Sequence, residues 1–242
     1  MSGASLTMYA QKKQLVTPGE LLAQGDYYPD LNTFKIGNSV YSTILGISDL
    51  RENRLSVVPL KHCYIPSVGD LVIGTIVDIG MSGWSVDINS PYPALLLATE
   101  VLNRQHSQRT ETDRIFSVGD LVKAKVIAFD RTRDPLLTVK DRGLGKVTHG
   151  RVMKISASKI PSLIGKEGSM ISMLKKESSC SLSVGQNGIV LVTCESPENE
   201  ELVMDVVKMI EREAYTHGLT DRVLDMIKKG RKGGKVVEGE GP

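Results

Sequence analysis

The sequence predicts a multidomain α+β protein: a small N-terminal β domain, a five-stranded Greek-key barrel, and a module of order β, α, α, β, β, α. Three observations carry that prediction. Short apolar pieces punctuated by Gly, Pro, Asn and Asp fill residues 15–60. The hexapeptide SVGDLV occurs at Ser67–Val72 and again at Ser117–Val122, each time ahead of an alternating, β-branched run. A helix-like stretch, KIPSLIGKEGSMISML at Lys159–Leu174, interrupts itself with two glycines three positions apart. A length of 242 residues with 40% hydrophobic content suits two or three small domains better than one.

Composition bounds the function. A formal charge of +2 and a pI of about 8.3 neither require nor exclude a polyanionic partner, so any basic surface must be local. Cys63, Cys180 and Cys194 are odd in number and widely separated, which predicts a reducing compartment and no disulfide framework. They lack zinc-ligand spacing, and no motif calls for a cofactor. No apolar run has the length of a signal-peptide core or a membrane span, so a soluble, cytoplasmic protein is expected.

In residues 1–63 the β texture places strands near Phe34–Ile36, Ser39–Ile47 and Arg54–Pro59. Residues 64–144 hold five segments, near 71–79, 84–89, 94–98, 121–129 and 135–140, read as short antiparallel strands, the number of an OB-type barrel. The repeated Val-Gly-Asp reads as a strand-launching turn used twice in one sheet rather than as a duplicated domain. OB barrels carry single-stranded nucleic acid on cations and aromatic platforms. The candidate cations are Lys123, Lys125, Arg131 and Arg133; Trp84, within an alternating stretch, reads as packing rather than platform. The polar loop NRQHSQRTETDRIF spaces Arg104, Arg109 and Arg114 along its length. Two readings of it stand: a solvated excursion whose arginines are offset by Glu111 and Asp113, or a loop that orders on a phosphate backbone.

Residues 145–217 give a strand at Gly150–Ile155, a short helix at Pro161–Ile164, a second at Ser169–Ser178, strands at Cys180–Val184 and Ile189–Thr193 joined by the turn GQNG, and a long helix. Ser196 caps that helix, Pro197 takes its first position, and Leu202, Val206, Ile210 and Ala214 form its buried stripe. Gly165 and Gly168 then fall in a tight turn between two helices, where missing Cβ atoms let a sugar-phosphate strand approach the amides of the helix opened by Ser169. Lys166 adds a mobile positive charge, whereas Glu167 opposes a phosphate. Gly-x-x-Gly alone is weak, but helices on both sides and this strand order match the KH module, which clamps four nucleotides of a single strand. For residues 218–242 a C-terminal helix and a basic, glycine-rich tail are expected, the tail disordered from Lys228.

The succession of PGE in the small β domain, YIPSVGDLVIGTIVDIGMSGWSVDINSPYPALL, the second SVGDLVKAKV, GLGKVTHGRVMKI, IPSLIGKEGSMISMLKKESSC and VGQNGIVLV resembles the RNA-binding cap subunit of the archaeal exosome, which carries an S1 barrel followed by a type I KH domain. The resemblance covers roughly residues 15–217. It implies a non-catalytic subunit whose N-terminal domain docks on a hexameric ring of phosphorolytic-exonuclease-like subunits, beside other copies of itself or a related S1 cap subunit. Its S1 and KH domains would recruit single-stranded RNA and feed it to the pore. Gly165, Lys166, Glu167 and Gly168 match the family's clamp loop.

Two other functions compete with this one. A stand-alone nuclease needs clustered carboxylates or a His-based acid and base, and His62, His106, His149 and His217 are scattered without a motif. A scaffold with little RNA binding of its own is the second, since fold alone does not establish function.

Overall fold

The computed structural model describes residues 7–102, 115–214, 216 and 218–233. The chain divides into two compact units, Met1–His62 and Cys63–Pro242.

Short alternating segments make the first unit all β. Its described strands are β1 (Thr7–Met8), β2 (Leu15–Val16), β3 (Leu21–Gln24), β4 (Tyr28–Pro29), β5 (Thr33–Ile36), β6 (Ser39–Ser42), β7 (Gly46–Arg51) and β8 (Arg54–Pro59). They form two sheets, ordered β1-β3-β6-β5 and β2-β7-β8-β4, around Val16, Leu22, Val40, Leu55 and Val57. The single strand expected over Ser39–Ile47 is two strands in different sheets. Ser42 is fully buried, and its hydroxyl donates to the Ile44 carbonyl at 2.7 Å, turning the chain at residues 43–45.

The second unit opens with β9 (Leu71–Ile79), β10 (Gly83–Asp87), β11 (Ala94–Leu97), β12 (Leu121–Ala128) and β13 (Leu136–Thr138), with a one-turn helix α1 (Ala98–Val101) after β11. The order β13-β11-β10-β9-β12 closes through a β12–β13 pairing into a five-stranded barrel. The five strands were expected to be antiparallel, but the β11–β13 pair is parallel, Leu95 opposite Leu136. A sixth strand, β14 (Gly145–Val147), adds to the outer edge of β12.

The two SVGDLV turns are structural equivalents. Asp70 accepts the Ser67 amide at 3.1 Å and Asp120 the Ser117 amide at 2.8 Å. Each turn also clasps the other's strand: Gly69 N–H donates to Val126 and Gly119 N–H to Ile76, both at 2.8 Å. The Asp120 carboxyl is held below its ordinary range by Lys146 and the Ser117 amide.

The chain then forms β15 (Arg151–Lys154), a 3-10 turn at Ala157–Lys159, α2 (Ile160–Ile164), α3 (Ser169–Ser178), β16 (Ser181–Val184), β17 (Ile189–Thr193), α4 (Pro197–Glu213) and α5 (Leu219–Gly233). The antiparallel sheet runs β15-β17-β16 under the helices. The fully buried stripe of α4 is Val203, Val206, Val207 and Ile210: Val206 and Ile210 lie in it as expected, whereas Leu202 and Ala214 are only half-buried and Val203 and Val207 take their place. Leu202 is turned instead toward α5, where a Cβ on Gly230 would meet its Cδ2 at 2.8 Å. The same packing extends α5 past Lys228, where disorder was expected, because Val223 and Ile227 are buried in the core of this module. Residues 234–242 lie outside the described residues.

Cys180 and Cys194 form a disulfide, against the expectation of reduced thiols. Pairing of Ser181 with Thr193 sets the two cysteines opposite each other at the open end of the β16–β17 hairpin, a juxtaposition that their sequence separation of 14 conceals. A closed loop of that length contributes about 3 kcal/mol by the chain-entropy model. Thermal unfolding with and without reductant should therefore show a lower midpoint on reduction, and Cys194→Ser should be insensitive to reductant. Among the described residues no helix is long and apolar enough to cross a membrane.

Candidate nucleic-acid interface

The turn between α2 and α3 is built from backbone that side chains disfavour. Gly165 has φ 76° and ψ 177°, a combination open essentially to glycine alone, and a Cβ there would meet the Met170 nitrogen at 2.7 Å. Gly168 is left-handed at φ 78° and ψ 15°, yet a Cβ there would touch only Ile171, at 3.9 Å. The first glycine is thus required by packing, while the second leaves open space at the head of α3. No side chain caps that helix, so its first amides and the positive end of its dipole face the opening. Lys166, Glu167 and Ser169 are exposed, and their side chains make no hydrogen bond or ion pair among the described residues. Glu167 is left-handed at φ 51°. The turn therefore brings Gly165, Lys166, Glu167, Gly168 and Ser169 together, as the sequence predicted.

On the barrel, alternation along β12 turns Val122, Ala124 and Val126 inward and sets Lys123 and Lys125 outward. Lys125 pairs with Asp141 at 3.2 Å, an exposed contact that leaves its charge accessible. Arg131 and Arg133 are exposed on the β12–β13 loop, which Asp130 organises by accepting the Thr132 and Arg133 amides. Arg104, Arg109 and Arg114 lie outside the described residues.

The aromatic residues divide between core and surface, Trp84 packing as its alternating stretch predicted. Trp84 is fully buried, edge-on to Phe116 with ring centroids 5.2 Å apart, and its indole N–H donates to the Phe116 carbonyl. Tyr64 is buried and donates to Asp70, and burial pushes its phenol well above the ordinary value. Tyr92 and Phe129 remain half-buried, edge-on to each other at 4.9 Å. They line a cleft of about 810 Å³ shared with Arg131 and Arg133. An apolar, aromatic cleft rimmed by guanidinium groups suits a nucleobase and its phosphate.

A feature missed in sequence fixes how barrel and helical module meet. The turn GQNG inserts Asn187, fully buried, into the barrel wall. Its side-chain amide donates to the Ile73 carbonyl at 2.7 Å and the Ile88 carbonyl at 2.8 Å, and its oxygen accepts the Ile73 N–H at 3.3 Å. The carboxamide thus pairs with both polar groups of Ile73, as a neighbouring strand would. Asn89 donates back to the Asn187 carbonyl at 2.8 Å, and Gln186 N–H donates to Leu71 at 2.8 Å. Alongside, Ile189 and Leu191 of β17 pack on Ile73, while Val190 and Val192 face the helices. The signal was present: a strand reading IVLV is apolar throughout because both its faces are covered.

Comparison with known proteins follows this layout. Three family models match in order: the exosome RNA-binding protein RRP4 N-terminal domain at residues 13–61, the RRP4 S1 domain at 63–128 and the KH domain at 150–211. Proteins named exosome complex component Rrp4 are similar along most of their length. That of Thermofilum pendens is 42% identical over 95% of this chain and 98% of its own. That of Nitrosopumilus maritimus is 42% identical over 91% and 98%. A crystal structure described as that of an exosome complex RNA-binding protein superposes with a TM-score of 0.67 at 40% identity, covering 71% of this chain and 98% of its own.

Proposed function

Since the chain belongs to the Rrp4 family of exosome components, with an N-terminal domain, an S1 barrel and a KH domain, we propose that it is a non-catalytic cap on a phosphorolytic ring, capturing single-stranded RNA and feeding it to the pore. The observation that carries this reading is the uncapped start of α3 behind an open glycine turn. Gly165, Lys166, Gly168 and Ser169 hold a phosphate there through backbone amides and the lysine, and Glu167 stays directed to solvent. Lys123, Lys125, Arg131 and Arg133 contact the strand further along, with Tyr92 and Phe129 offering apolar surface to a base. The N-terminal unit docks on the ring, and the protein acts in the cytoplasm.

The test is binding of the isolated chain to a fluorescent single-stranded RNA over a salt series, with inorganic phosphate present. Affinity should fall as salt rises, the RNA should remain intact, and Lys166→Asp should bind severalfold more weakly. Shortening of the RNA by the chain alone would replace this reading with a nuclease. Absence of binding would replace it with a scaffold.

A further inference from the structure

We infer that the seam between the barrel and the KH module is itself a phosphate-binding subsite, carrying the RNA strand from one domain to the other. This rests on the RNA-binding reading above. Where β17 packs against the barrel, a groove of about 250 Å³ is left between Lys123 of β12, the segment Gly143–His149 and Leu191.

Charge in this groove is unbalanced. No carboxylate among the described residues lines it; of the flanking acids, Asp120 pairs with Lys146 and Asp141 with Lys125. Lys123 and His149, which line the groove, and Arg142, which precedes it in the chain, make no ion pair or side-chain hydrogen bond among the described residues. The groove and its approach thus present the Lys123 and Arg142 charges and the His149 imidazole beside Leu191, with no carboxylate among the lining residues.

The groove's shape favours a sugar-phosphate strand over a protein segment. Lys123 stands in register with Gly145, so no side chain stands opposite it across the pair. A Cβ added at Gly143 or Gly145 would meet no atom within 4 Å, which leaves the floor open to close approach. The volume accommodates about one nucleotide unit, and its apolar lining is limited to Leu144, Val147 and Leu191. Because Asn187 locks the two domains together, the cations are held in place before the strand arrives, which reduces the ordering cost of binding.

The experiment compares wild type, Lys123→Gln combined with His149→Gln, Lys166→Asp, and Lys208→Gln. The probe is a fluorescent oligoribonucleotide long enough to cross both domains. Lys208 is a control cation on α4, paired with Asp205. The double variant should bind roughly fivefold or more weakly near ~0.1 M salt, and its slope of log affinity against log salt should shrink by about 0.7 for each phosphate no longer neutralised. Lys208→Gln should stay within about twofold of wild type. Wild-type affinity and slope in the double variant, with Lys166→Asp still impaired, would overturn the seam and leave the RNA-binding reading standing. An equal loss in Lys208→Gln would reduce the effect to net charge and also overturn it. No binding by wild type would remove the RNA-binding reading itself.

Discussion

Asn187→Ala is expected to destabilise the Cys63–Pro242 unit strongly. It strips the Ile73 N–H, the Ile73 carbonyl and the Ile88 carbonyl of their partner at a fully buried position. A buried polar group left unsatisfied costs ~1–3 kcal/mol, so a loss of about 3–5 kcal/mol follows even with partial rehydration. In a unit of this size that is a fall of roughly 6–20 °C in unfolding midpoint. Asn187→Asp should be worse, because it keeps the shape, removes both donors and buries a charge. Differential scanning calorimetry reads the loss, and limited proteolysis at the Asp141–Gly150 linker reads the loosening. A stability within about 0.5 kcal/mol of wild type, as at an ordinary surface site, would mean that packing of Ile73, Ile189 and Leu191 alone holds the seam.

The second large effect separates the two clamp glycines. Gly168→Asp should leave the fold intact, since left-handed backbone tolerates aspartate and the site is open to 3.9 Å. The new carboxylate lies at the positive end of α3, where it competes for the amides a phosphate would use and repels the phosphate itself. RNA affinity should fall by about tenfold or more, the equivalent of ~1.4 kcal/mol or greater, with little change in unfolding midpoint. Gly165→Asp should instead lower the midpoint, because its ψ of 177° belongs to glycine and its Cβ would strike Met170. A loss of binding at Gly165 therefore reports the fold, and only Gly168 reports the ligand. Wild-type affinity in a folded Gly168→Asp would remove the clamp from RNA capture and assign the work to the barrel cleft and the seam.

What the sequence by itself determined was local. Val-Gly-Asp turns launched β9 and β12, alternation set Lys123 and Lys125 on the outer face, and paired glycines marked the break between α2 and α3. Each of these depends on a few neighbouring residues, whose backbone preferences and side-chain period are written in the chain. The tertiary structure alone decided which side chains met across long separations. Register set Cys180 opposite Cys194, parallel pairing closed the barrel at Leu95 and Leu136, and Tyr92 and Phe129 were left to line a cleft. Above all, Asn187 looked like a turn residue because turns favour asparagine. Its work lies 114 residues away, at Ile73. No local pattern specifies such a partner, because the free energy of that contact arises only when two surfaces far apart in the chain meet and exclude water from the polar groups between them.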